Sequence, residues 1–386
     1  MSTTEKLLTC IEHFKSIPEH SIVELDNFRE RGGLVVGVYC IYAPSELIRA
    51  TGAVPVGLCG KRHDPIQAAE NDLPSSLCPL IKSSYGYAIT DKCPFFSLSD
   101  VLAAESTCDG KKKMYELMGR LKPLHVMQLP HTQKGEAVHR YWVDSLHDLE
   151  AFLVTHGAQP IKSKELQRQI KLHNQMRTKL ASVMHLAADE RSPLRGSDLL
   201  AVQESKGFVV DIEGYLDQLD NLEQELRAYL AQPNLKPQSG PRLMLTGVPV
   251  GKGSEKVIRI AEELGARVVC MENCTGVKGL ELLADEEATP YEALAERYLR
   301  IPCSCMSPNS GRKKSLGELG KEFGVHGVID LTWLGCHTYN TEAYSVQKWV
   351  EEALGVPSLH LETDYSDSDV EQLRTRIEAY LELIDL

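Results

Sequence analysis

The chain has 386 residues, of which 42% are hydrophobic and 25% charged, and its formal net charge is −12. That length is more than one simple core organises and predicts two or more domains of ordinary soluble composition. The acidic balance excludes a nucleic-acid partner, which would need clustered positive charge, and the longest basic run, Lys111 to Lys113, reads as a solvated helix face.

Met1 to Lys6 lead into a polar amphipathic segment without a secretory apolar region. The most apolar stretch, 33–44, is too short to cross a bilayer. The expectation is a cytoplasmic location and no membrane partner. In such a compartment cysteines are free, catalytic or metal-bound rather than paired.

Residues 4–18 have helical periodicity, and 33–40 read as a buried strand rich in β-branched side chains. A helix is predicted from Ser45, stopped at Gly52, and a strand over 53–58. Strand–helix–strand is the unit of a parallel sheet. Two long amphipathic stretches follow, 163–190 and 208–231, with Ile170, Met176, Leu180, Met184 and Ala187 near a 3.6-residue period. The breaker-rich segment 232–241 reads as a linker. The second half then repeats the order: strand 242–247, helix 254–264 stopped by Gly265, strand 267–270, further strands over 325–332 and 357–361, and a final helix over 368–384. The prediction is an α/β protein of two Rossmann-like or flavodoxin-like parallel-sheet domains facing each other across a cleft. Their bounds are 1–160 for the N-terminal domain, 161–237 for a helical connector and linker, and 238–386 for the C-terminal domain.

Eleven cysteines are present, and six fall into two similarly spaced sets: Cys40, Cys78 and Cys108, then Cys274, Cys303 and Cys336. Parallel sheets place ligand sites at the carboxyl ends of their strands. Cys40 and Cys270 fall at predicted strand ends, and Cys274 and Cys336 in the loops that follow. Cys78, Cys108, Cys303 and Cys336 also sit beside turn formers, in Cys78-Pro79, Cys108-Asp109-Gly110, Pro302-Cys303 and Gly335-Cys336. Cys10 reads instead as a packing residue. Structural zinc sites show close C-x-x-C pairs, and ferredoxins show C-x-x-C-x-x-C runs; neither occurs here. Dispersed thiols from several loops fit an iron–sulfur cluster held between domains, with three per cubane leaving one iron free for substrate or a bridging sulfide. A zinc-stabilised scaffold or a non-catalytic electron carrier is the reading from another class. The loop Gly247-Val-Pro-Val-Gly-Lys-Gly-Ser254 looks like a phosphate loop but fails the spacing. His337, Lys82 and Tyr85 are the candidates for side chains near the chemistry.

Several motifs, taken in order, resemble a known family. They are 42–56 (YAPSELIRATGAVPV), Cys78-Pro79, Cys108-Asp109-Gly110, 272–276 (ENCTG), 297–303 (RYLRIPC) and Gly335-Cys336. The resemblance is to the 2-hydroxyacyl-CoA dehydratase D-component family, and within it the chain is most similar to the double-cubane cluster proteins, a branch of anaerobic reductases. The resemblance implies that Cys78, Cys108 and Cys336 ligate one cubane. It implies a second set for the other cubane of an 8Fe-9S double cubane: Cys40, Cys303 and Cys274, with Cys270 or Cys305 as substitutes. The alternative is a dehydratase subunit with a single 4Fe-4S cluster. It further implies a homodimer that receives low-potential electrons from a separate ATP-hydrolysing iron–sulfur activator and passes them to a small-molecule substrate.

Overall fold

The computed structural model describes residues 2–384. The chain opens with α1 (Thr3–Glu30), β1 (Val35–Val38), α2 (Ser45–Ala50), β2 (Val54–Gly57), α3 (Ile66–Ala69), α4 (Pro79–Thr90) and α5 (Pro94–Leu98). It continues through β3 (Val101–Glu105), α6 (Asp109–Met118), β4 (Leu124–Met127) and α7 (Glu136–Thr155) to three central helices, α8 (Ser163–Ala187), α9 (Gly196–Ser205) and α10 (Ile212–Leu230). The last part runs β5 (Arg242–Gly247), α11 (Lys256–Glu263), β6 (Arg267–Glu272), α12 (Pro290–Leu299), α13 (Ser310–Glu322), β7 (Gly327–Trp333), α14 (His337–Leu354), β8 (Ser358–Thr363) and α15 (Val370–Ile384).

The strands form two four-stranded sheets, ordered β2-β1-β3-β4 and β6-β5-β7-β8, and every pairing is parallel. Each half therefore has the same second-first-third-fourth order, that of flavodoxin-like folds. In both, the order reverses between the first and third strands, which opens a crevice at their carboxyl ends. Side chains alternate across the first sheet. Val35, Leu102 and Ala104 enter one core, and Val36, Val101 and Ala103 enter the other, as a two-residue period requires.

The halves are not packed as separate bodies. Helix α12, from the second half of the sequence, lies against α7 and α8, and its Ala293, Leu294 and Tyr298 share a core with Val36 and Trp142. Helix α8 feeds both cores, Leu166 and Ile170 into one and Leu180, Val183 and Met184 into the other. Helix α1 extends well past Pro18, because the stripe Leu7, Ile11, Phe14, Ile17, Leu25 stays buried across it. Its start is held by a capping box, Glu5 N–H to Ser2 Oγ at 3.2 Å and Ser2 N–H to Glu5 Oε2 at 2.7 Å.

Candidate metal centre

The carboxyl ends of both sheets converge on one cavity of about 920 Å³. All six of the spaced cysteines, Cys40, Cys78, Cys108, Cys274, Cys303 and Cys336, line it. Cys59, at the end of β2, and Cys305 join them. Cys270 does not: it is buried within β6 and packs in the core. Cys10 lies on α1, where its sulfur accepts from Asn221 Nδ2 at 3.2 Å.

Three of these thiols share a local geometry. Cys78 precedes the first turn of α4, Cys108 that of α6 and Cys336 that of α14, each as the helix N-cap residue. Helix N-termini present unpaired N–H groups and a partial positive charge, which favour a thiolate. The Cys108 sulfur accepts from Lys111 N at 3.5 Å. Gly335 brings two of the three together. Its φ of +75° is a left-handed turn, and a Cβ there would lie 2.5 Å from Ser76 O and 3.2 Å from Cys78 N. Only glycine lets the β7–α14 loop press on the strand-free approach to α4 in this way. Cys78 and Cys336 consequently act on each other, which raises the thiol of Cys78 and lowers that of Cys336 to about 7.

The second set sits in loops. The neighbouring thiols of Cys274 and Cys305 hold Cys303 well below the usual thiol range. Cys40 faces that trio: its charge bears on Cys274 and Cys305, and that of Cys303 bears on it. Burial pushes its thiol up to about 12, against the pull of Lys111. Among the described residues, no three cysteine sulfurs approach within 4.8 Å of one another. The donor set therefore does not fit a single tetrahedral ion, which gathers its ligands tightly. Sulfur donors spread around a cavity fit a larger sulfide-bridged group, for which thiolate is the usual protein ligand.

Although the chain is acidic, the cavity wall is basic. Lys61, Lys111, Lys206 and Lys278 all line it. Lys111 is buried rather than solvated, which corrects the reading of 111–113 as an exposed face at that one position, Lys112 and Lys113 being exposed; its Nζ donates to Tyr39 O at 3.2 Å. Burial opposes its charge, but Tyr115, Cys40, Cys59 and Glu105 together raise it well above the ordinary lysine range. Lys278 is fully buried, 3.2 Å from Glu272 Oε1 and 3.1 Å from Tyr339 Oη, to which it donates. Burial again opposes the charge, and Glu272 and Cys274 raise it. Glu272 in turn meets Thr246, Lys278 and Arg312, so the floor beneath Cys274 is a buried ionic network.

His337, the first residue of α14, lies exposed on the cavity rim. Lys82 and Tyr85 are on α4 but do not line the cavity. Lys82 Nζ is taken by Glu70 Oε1 at 2.7 Å and Ser75 O at 2.6 Å, and Tyr85 donates to Asp72 Oδ2 at 2.8 Å. The loop after β5 holds no open anion cradle. Lys252 N–H donates to Glu204 Oε2 at 3.0 Å, Gly253 N–H donates to Glu255, and Gly251 N–H donates to Ser254 Oγ at 3.1 Å. Glu204 also pairs with Lys61 at 2.6 Å, tying the β2 loop and α9 to this loop. Sequence reasoning missed Cys59, Lys111 and Lys278. The two lysines carry a usable signal, each lying within one helical turn's spacing of a candidate cysteine (Cys108 and Cys274).

No helix among the described residues is long and apolar enough to cross a membrane. The chain is 41% identical over 385 residues to a protein of Escherichia coli (strain K12) provisionally named dehydratase subunit YjiM, with all of both chains covered. It is 23% identical to the (R)-phenyllactyl-CoA dehydratase beta subunit of Clostridium sporogenes and 22% identical to the lactoyl-CoA dehydratase subunit beta of Anaerotignum propionicum, again over the whole of each chain. Residues 40–384, which hold every cavity-lining cysteine and every strand except β1, match the family 2-hydroxyglutaryl-CoA dehydratase, D-component. The chain is an enzyme that belongs to this family.

Proposed function

We propose that the chain is an anaerobic iron–sulfur reductase whose cavity holds a double cubane (8Fe-9S). The observation that carries this reading is that six cysteines from both halves line one cavity, three of them at helix N-caps and three in loops. Cys78, Cys108 and Cys336 would hold one cubane from three helix N-termini. Cys40, Cys274 and Cys303 would hold the other, with Cys305 beside Cys303 as the substitute. Cys270 drops out as a substitute because it does not reach the cavity. Bound there, the cluster supplies low-potential electrons to a small substrate.

The chain's own residues prepare the site. Lys111 and Lys278 place positive charge beside Cys40 and Cys274, which favours deprotonated sulfur. Tyr39, Tyr42 and Tyr339 are buried around the thiols and exclude water. The filled loop at 247–254 leaves no phosphate cradle, which agrees with ATP being spent on a separate iron–sulfur activator that donates the electrons. A cytoplasmic homodimer completes the reading.

A second reading is a dehydratase subunit with a single 4Fe-4S cluster on Cys78, Cys108 and Cys336. It is favoured by the relatives named as dehydratase beta subunits. Iron and acid-labile sulfide per anaerobically reconstituted chain separate the two: about eight irons for the double cubane, about four for the single cluster. A colourless chain that takes up zinc instead would refute both.

A further inference from the structure

The cavity wall formed by α2, α8 and α12 carries a guanidinium that lies over the Tyr298 ring, 4.4 Å from its centre, but pairs with no carboxylate among the described residues. Arg297, in the last turn of α12, lines the cavity and is 5% exposed. Its one hydrogen bond runs from Nη2 to Gly279 O at 3.3 Å. Nε and Nη1 are buried without a partner. Among the described residues no carboxylate oxygen lies within 4.0 Å of its nitrogens, the distance that defines every ion pair found here. Glu46, the buried acid whose charge bears on Arg297, is already engaged: it pairs with Arg177 through one oxygen and accepts from Tyr298 Oη at 2.6 Å through the other. His173 adds no charge at neutral pH, since burial holds it down to about 4. Arg297, held down to about 10 by burial, keeps its charge. A buried guanidinium with free donors is costly unless something completes it, and a bound anion is the partner that would satisfy both the donors and the charge.

We propose that Arg297 anchors the carboxylate of an organic-acid substrate in this cavity. The planar guanidinium fork matches a planar carboxylate through paired N–H···O bonds. The neighbourhood fits an organic body rather than an inorganic anion: Ile41, Met176 and Leu280 line the same cavity, and Ile41 and Arg297 both approach within 4 Å of where a Cβ on Gly279 would sit. Arg297 is not a counter-charge for the thiols. The charged groups that bear on it are Arg177, Tyr298 and Glu46, with no cysteine among them, whereas Lys278 and Lys111 do respond to cysteines. The inference names a substrate class for the site of the proposed reductase and rests on that reading for its catalytic meaning. The binding claim itself stands or falls without the cluster.

The test is equilibrium binding of butyrate, its neutral isostere butyramide, and inorganic phosphate to the full chain, both cluster-free and anaerobically reconstituted. The wild type should bind butyrate at least tenfold more tightly than butyramide or phosphate. Arg297→Met should lose that preference, and Arg297→Lys should keep part of it. Arg297→Met should also retain iron and unfold at the same or higher denaturant concentration in the cluster-free state, because an unbalanced buried charge has been removed. Butyrate binding unchanged in Arg297→Met would overturn the proposal, as would preferential phosphate binding. An Arg297→Met chain that cannot fold or loses its iron would mark a structural or cluster-balancing cation and would overturn it too. A wrong iron count with intact butyrate selectivity would refute the double cubane and leave this inference standing.

Discussion

Glu105 ends β3 with its side chain fully buried and both carboxylate oxygens without a hydrogen-bond partner. Burial pushes its carboxyl up from an ordinary 4.5 to about 8, and Lys111 only partly opposes this. The folded-state value is raised, so the charged form is what folding disfavours. Glu105 therefore costs nothing below about pH 4.5, costs progressively more as pH rises towards about 8, and levels off above that. The gap between 4.5 and about 8, at about 1.36 kcal/mol per pH unit, sets a ceiling of about 5 kcal/mol on that cost. Glu105→Gln keeps the shape and removes the titration. Urea unfolding of the cluster-free chain should place the variant within about 1 kcal/mol of wild type near pH 5 and make it several kcal/mol more stable near pH 8.5. Taking the difference between the two proteins cancels the groups that Glu105 does not touch; Lys111, Tyr115 and Cys40 respond to it, but all three titrate above this pH range. A difference that stays constant across this range would refute the burial argument for Glu105.

Gly335→Ala should misplace Cys336. With φ at +75° and Ser76 O in the way, the strain is on the order of 1–3 kcal/mol, and reconstituted iron should fall with it. An alanine variant with full iron content would show that the contact with Cys78 is not needed. Lys278→Met should destabilise the chain by an amount at the lower end of roughly 3–5 kcal/mol, because Glu272 keeps Arg312 after losing its lysine. Denaturant midpoints check this, and an unchanged midpoint contradicts it. Cys78→Ser and Cys108→Ser should lower iron and brown absorbance, whereas Cys10→Ser and Cys270→Ser should not, since neither of the latter sulfurs reaches the cavity. Equal loss in all four would mean that these variants report folding rather than ligation.

The second half was the more legible in sequence. The strand expected over 242–247 coincides with β5, and the turn formers Gly247 and Gly265 stop elements where the φ angles of +109° and +92° require glycine. The first half hid two of its strands. β3 reads VLAAE, whose alanines suit a helix, and β4 is four residues long without a run of β-branched side chains. What makes them strands is pairing with β1 and with each other, a tertiary effect that local propensity does not contain. The cavity cysteines were legible because parallel sheets collect loop residues at one edge. Lys82 and Tyr85 shared a helix with Cys78, but α4 turns them towards Glu70 and Asp72 instead. Lys111 was hidden by its run of three lysines, since only helical phase decides which one points inward. Arg297 was quoted within a motif, yet its missing partner can be seen only once Glu46 is found on Arg177.

Iron and acid-labile sulfide per chain, with the EPR spectrum of the reduced protein, test the central claim most directly. The two cysteine sets around one cavity predict about eight irons per chain. Serine at Cys78 and Cys108 should deplete one cubane, and serine at Cys40 and Cys303 the other. About four irons, unaffected by Cys40→Ser and Cys303→Ser, would contradict the double cubane and leave Cys78, Cys108 and Cys336 as the whole of the metal centre.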